Sequence, residues 1–153
     1  MRPLIIEFAG EPVAKGRPRM SIGNGRPIAY TPAKTRKYEA ALQYAARDAM
    51  RDRLRFLGPV AVAVTAYLPI PTSWSKKKQA AAILGDILPT SRPDVDNYAK
   101  SAIDALNAVA FNDDAQVVSL TVRKEYSDRP RLRIAVAEVQ AESDAEQKQS
   151  EAA

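Results

Sequence analysis

The alternation of apolar and polar positions divides this chain into short strands and helices. Leu4 to Phe8 reads as an opening strand, followed by Gly10-Glu11-Pro12 and a stretch whose Gly16, Pro18, Gly23, Asn24, Gly25 and Pro27 predict turns or a loose hairpin. Thr31-Pro32 then marks a helix start, with Thr as N-cap and Pro at the first helical position. Tyr38, Leu42, Ala45, Ala49 and Leu54 recur at helical spacing, which predicts a helix from Pro32 to Leu54. Pro59 to Leu68 alternates Val60, Val62 and Val64 with Ala61, Ala63 and Thr65 and carries little charge on either side, the pattern of a central strand covered on both faces.

Further along, Ser73 to Ala82 reads as a short capped helix with Trp74 packed at its entrance, and Leu88 to Pro93 returns the chain as a loop. The next helix starts near Asp96 and carries Ala99, Ile103, Leu106 and Val109 or Ala110 on its apolar side. Two antiparallel strands follow. Val118, Leu120 and Val122 point one way, Ser127 to Pro130 turns the chain, and Leu132, Ile134 and Val136 point back into the same core, leaving Arg123, Arg131 and Arg133 outward. From Gln140 the Ala, Glu, Gln and Ser composition is that of a disordered tail. Strands and helices thus share one α/β (α+β) domain over residues 1–140, with an acidic tail at 141–153.

Composition narrows the chemistry. The 153 residues include no histidine and no cysteine, which excludes Ser-His-Asp and Cys-His catalysis, zinc fingers and histidine-based nucleases. Asp, Glu, Lys, Arg, Tyr, Ser and Thr remain, and the hard oxygen ligands among them suit Mg²⁺ or Mn²⁺. No apolar run approaches a membrane span, and the apolar part of Met1 to Glu7 is too short for a signal peptide, so a cytoplasmic location is expected.

Charge distribution points to a partner. Removing residues 141–153 leaves 22 basic against 14 acidic residues, a net +8 over 1–140. Pro12 to Tyr38 holds Lys15, Arg17, Arg19, Arg26, Lys34, Arg36 and Lys37 with no acid. A run of one sign attracts a polyanion and gains from counterion release, which favours nucleic acid, although a lone basic stretch is often only a solvated loop. Lys76 and Lys77 in the short helix are further candidate DNA contacts.

The densest constellation is Arg92 to Asp114, RPDVDNYAKSAIDALNAVAFNDD. Several carboxylates this close repel one another unless a cation sits between them. Pro93 biases Arg92 away from helix, so Asp94 and Asp96 are expected to enter the helix in extended form with their Cα atoms roughly 6.6 Å apart. Lys100 follows Asp96 by one helical turn and is expected on the same face, away from the Ile103/Leu106 stripe. Asp104 and Asn107 continue that face as solvated neighbours. Asp113 and Asp114 come after the helix, and whether they return to its start depends on the sheet. Piece by piece, each has a plain structural reading: Asp94 or Asp96 as a helix cap, Asp96 and Lys100 as a surface pair, Asp113-Asp114 as a turn.

The stretch RPDVDNYAKSAIDALN followed by FNDDAQVV closely resembles the RusA family of Holliday junction resolvases, as do Gly10-Glu11-Pro12, Lys15 to Arg19 and Tyr30-Thr31-Pro32. The similarity runs from Ile5 to Val139. It implies a mixed β-sheet packed by helices, a homodimer, and Mg²⁺-dependent cutting of paired strands at a four-way DNA junction in recombination and repair. The family's metal-binding aspartates fall on Asp94, Asp96 and Asp114, with Asp113 as the alternative ligand and Lys100 as the essential lysine. The other readings are a nuclease for flaps or forks using the same site, and a non-catalytic basic DNA-binding module whose acids are a cap and a turn.

Overall fold

The computed structural model describes residues 1–16 and 19–141; Arg17 and the tail at 142–153 lie outside the described residues. The first strand, β1 (Leu4–Ala9), is followed by a separate two-stranded ribbon, β2 (Arg19–Gly23) and β3 (Arg26–Tyr30), and by helix α1 (Ala33–Ala49). Strand β4 (Val60–Pro69) leads through α2 (Lys76–Ile83) and α3 (Val95–Leu106) to β5 (Val117–Ser127) and β6 (Arg131–Glu138). The main sheet has the order β1-β6-β4-β5. It is mixed, because β5 pairs parallel to β4 while β6 pairs antiparallel to both β4 and β1. No helix of the described residues is long and apolar enough to cross a membrane.

Helices α1 and α3 pack on one face of this sheet. Leu4, Ile6, Val60, Val62, Val64, Leu132, Ile134 and Val136 meet Leu42, Ala46 and Met50 of α1 and Tyr98, Ala102, Ala105 and Leu106 of α3, with Phe56 and Phe111 closing one end. Each large apolar side chain so buried contributes about 1.5–3 kcal/mol, which makes this layer the principal source of stability.

The opposite sheet face is open. Strand β4 is central as expected, but Ala63 is exposed and Ala61 and Thr65 are half-buried, so it is covered on one side only. Low charge came from small residues there, not from a second covering layer.

Strands β5 and β6 run antiparallel as expected but do not pair with each other, because β4 lies between them. That leaves β5 at the sheet edge, with Val118 61% and Leu120 45% exposed. Helix α1 also ends earlier than its apolar spacing suggests. Pro32, not Thr31, occupies the N-cap position without a side-chain cap, and the helix stops at Ala49. The chain then turns, with Arg53 donating to the Pro3 carbonyl, to deliver Phe56 to the core, where it bridges Phe111. Leu54 is left 82% exposed outside the helix. The short α2 is capped, but it starts at Lys76, later than the Ser73 read from sequence: Ser75 Oγ accepts the Lys78 N–H at 3.2 Å. Trp74 packs edge-on against Tyr126 at 5.3 Å, with the Lys78 ammonium over its ring.

Candidate active site

Because β4 and β5 are parallel, the intervening chain must cross over, and α3 runs back antiparallel to β5. Contacts at its two ends fix this direction. Lys124, late in β5, donates to the carbonyls of Ser91 and Pro93 at 2.9 and 3.0 Å, just before α3, whereas Ile103, near the helix end, shares a surface hollow with Asp114 and Val117.

A groove of about 450 Å³ lies between α3 and the β5 edge, lined by Asp96, Lys100, Asp104 and Asp114 over an apolar floor that includes Ile103, Leu120 and Val122. The buried stripe of α3 is Tyr98, Ala102, Ala105 and Leu106, rotated from the Ile103-centred stripe expected from sequence. Lys100 therefore shares its face with Ile103 instead of pointing away from it. The helix ends at Leu106, so Val109 and Ala110 follow it as a turn, with Ala108 at φ 60°.

The acids occupy distinct positions along this groove. Asp94 is the N-cap residue in extended conformation (φ −75°, ψ 155°), yet its carboxylate accepts no capping hydrogen bond. Asp96 lies in the first helical turn, so only Asp94 is extended. Asp96 and Lys100 form no ion pair with each other, although both face the groove. Asp104 follows Asp96 by two turns, a rise of about 12 Å. It lines the groove on one side and, on the other, receives the Lys15 ammonium at 2.5 Å.

Asp113 and Asp114 divide structural and site roles. Asp113 caps the 3-10 turn Asp114–Gln116 by accepting the Ala115 N–H at 2.9 Å, and Gln116 completes a capping box. Gln116 also ties the turn to the core: its Oε1 accepts from the N–H groups of Asn112 and Asp113, while its Nε2 donates to the carbonyls of Phe56 and Gly58. That contact was missed in the sequence, although the Asp113-x-x-Gln116 spacing is a readable capping signal. Asp114 is left facing the groove. A hydrogen bond with Asp113 holds its carboxyl above the ordinary value, and the neighbouring charges of Asp113 and Asp104 push the same way. Asp113 is held low by the Ala115 N–H and by the same side-chain bond.

A divalent cation fits this donor set in chemistry, since carboxylate oxygens are hard ligands and Asp114 lies within reach of the charges of Asp113 and Asp104. Its spacing is open: among the described residues no three acids are grouped closely enough to hold a metal ion. The acids stand instead at two ends of α3, Asp94 with Asp96 at its start and Asp104 with Asp114 at its end, with Lys100 between. Asp104, set aside in the sequence as a solvated neighbour, is thus the acid on α3 whose charge reaches Asp114. Asn107 is the exposed C-cap of α3.

The predicted DNA contacts separate similarly. Arg19, Arg26, Lys76 and Lys77 are exposed. Lys15 is engaged by Asp104 and by Glu39 at 3.4 Å, which, led by the Asp104 hydrogen bond, raise its pKa. Its ammonium is a strut between α1 and α3 rather than a free phosphate contact. Arg123 and Arg133 pair with Glu125 and Glu7, and Arg131 stacks on Tyr67.

Comparison with known proteins places this geometry. An uncharacterized protein of Bacillus subtilis (strain 168), YqaN, is 46% identical over 136 residues, covering 86% of this chain and 94% of its own length. Residues 9–137 match the family described as Endodeoxyribonuclease RusA. That match spans both the basic ribbon and the acid-lined groove, and the chain belongs to the RusA endodeoxyribonuclease family.

Proposed function

We propose that this protein is a Mg²⁺-dependent endonuclease that resolves four-way DNA junctions by paired symmetric nicks, working as a homodimer with one groove for each cut strand. The observation that carries this reading is the groove lined by Asp96, Lys100, Asp104 and Asp114, in a chain that also carries an exposed basic ribbon. Family membership supports the nuclease class. The cap-and-turn alternative accounts for Asp113 but not for Asp94, whose carboxylate does no capping.

The acids that would hold magnesium, or manganese in its place, are Asp94 with Asp96 at the start of α3 and Asp114 with Asp104 at its end. When bound, the ion supplies Lewis acidity toward the phosphodiester. Lys100, between the acid pairs, sets a positive charge against the scissile phosphate as negative charge builds on its oxygens. The apolar floor of Ile103, Leu120 and Val122 excludes water from one side of the bound backbone and strengthens that attraction.

The test is cleavage of a synthetic four-way junction with and without Mg²⁺. Wild type should give paired symmetric nicks only with the metal, and Asp96→Asn should abolish cutting while keeping or improving binding, since a negative charge near phosphate is removed. Undiminished Mg²⁺-dependent cleavage by Asp96→Asn would sink the assignment. Equal cutting of flap, fork and junction substrates would replace junction resolution with a general branched-DNA activity.

A further inference from the structure

The ribbon of β2 and β3 stands apart from the main sheet, and it is exposed at every position except Gly23. Asn24 (φ 51°) and Gly25 (φ 72°) form its turn, both in the left-handed region that two-residue hairpin loops require. Cross-strand register sorts its side chains. Met20 opposes Ala29 and Ile22 opposes Pro27 on one face; Arg19 opposes Tyr30, Ser21 opposes Ile28 and Gly23 opposes Arg26 on the other. One face is therefore wholly apolar, with Met20 64% and Ile22 82% exposed.

A free two-stranded ribbon is marginal in water, and an uncovered apolar face adds to its cost. The surroundings identify what covers it. The chain before the ribbon runs along α3, where the Lys15 N–H donates to the Asn97 carbonyl and Ser101 Oγ donates to the Val13 carbonyl. It leaves through the start of α1, where Lys34, Arg36 and Lys37 are exposed. No acid stands between Pro12 and Tyr38. A second copy docked face to face would bring the same cations together, whereas a polyanion offering apolar surface between its charges satisfies both faces at once. Stacked bases flanked by phosphates have that character.

We propose that the apolar face of this ribbon is a wedge, in which Ile22 and Pro27 beside the turn insert between base pairs at the branch point while Arg19 and Arg26 on the reverse face meet phosphates. The proposal rests on the reading that branched DNA is the substrate. Apolar side chains inserted at a base step unstack it and kink the helix axis, and the unstacking cost is smallest where stacking is already interrupted. A ribbon that enters there would select branched over continuous duplex.

The experiment uses the full chain in EDTA with a four-way junction carrying 2-aminopurine at the branch point. Wild-type binding should raise its emission by roughly two-fold or more as stacking is lost. Ile22→Ser with Pro27→Ser should leave emission at the free-DNA level while junction affinity falls no more than about three-fold, since the phosphate contacts remain. Thermal unfolding of that variant should match wild type because the face is exposed. An unchanged emission rise in the variant, or no rise with wild type despite preferential junction binding, overturns the wedge alone. A shift of the variant from dimer to monomer in sedimentation overturns it in favour of docking to a second copy. Equal wild-type affinity for junction and duplex removes the branched-DNA reading and the wedge with it.

Discussion

Gln116 offers the sharpest test of how the fold positions the groove, because one side chain makes four hydrogen bonds that join the 3-10 turn to the chain entering β4. In Gln116→Ala the carbonyls of Phe56 and Gly58 lose part-buried partners, worth about 1 kcal/mol each, and the more exposed N–H groups of Asn112 and Asp113 lose about 0.5 kcal/mol each. The expected destabilisation is about 3 kcal/mol, which for a domain of this size lowers Tm by roughly 10 °C. Urea denaturation followed by circular dichroism should show a lower midpoint with an unchanged slope, as befits a loss of stability without a change in the surface exposed. Gln116→Glu keeps the accepting half of the network but turns a carboxylate oxygen toward the Phe56 and Gly58 carbonyls, so its midpoint should fall at least as far as that of Ala. Cleavage, measured where both variants are folded, should fall in the same order as Asp114 loses its anchor. A loss below about 1 kcal/mol in Gln116→Ala would refute the reasoning.

Two further outcomes follow from contacts outside the groove. Lys124→Met releases the loop that leads into Asp94 and Asp96, so junction cleavage should drop roughly 10- to 100-fold with binding retained, and cutting at the wild-type rate would show that the loop needs no such anchor. Burial pushes the Tyr38 phenol up to about 12, and a group raised on folding contributes stability that is full below its unfolded value near pH 10 and is lost as pH climbs toward about 12. Tyr38→Phe should therefore flatten the alkaline fall of the urea midpoint, leaving the shares due to Lys15 and Tyr98, whose pKa values are also raised; an identical fall in both proteins would show that Tyr38 titrates as it does unfolded.

Much of this molecule was legible in one dimension. The opening strand, the hairpin signal at Asn24-Gly25, the Ser75 cap, the strand at Val60 and the helix after Asp94 all rest on contacts between residues close in sequence, and those are what turn chemistry, capping and periodicity encode. The residues proposed for phosphodiester chemistry were already singled out there, because without histidine or cysteine the carboxylates and Lys100 stood out. Tertiary structure decided how they are arranged. Insertion of β4 between β5 and β6 made β5 an edge and sent α3 antiparallel to it, and that non-local pairing set Asp96 and Asp114 at opposite ends of a groove instead of at one point. The same packing chose which side of α3 was buried, drawing Ile103 into the groove, giving Lys15 to Asp104 and Asp113 to a cap, and so separating residues whose charges alone had made them look equivalent.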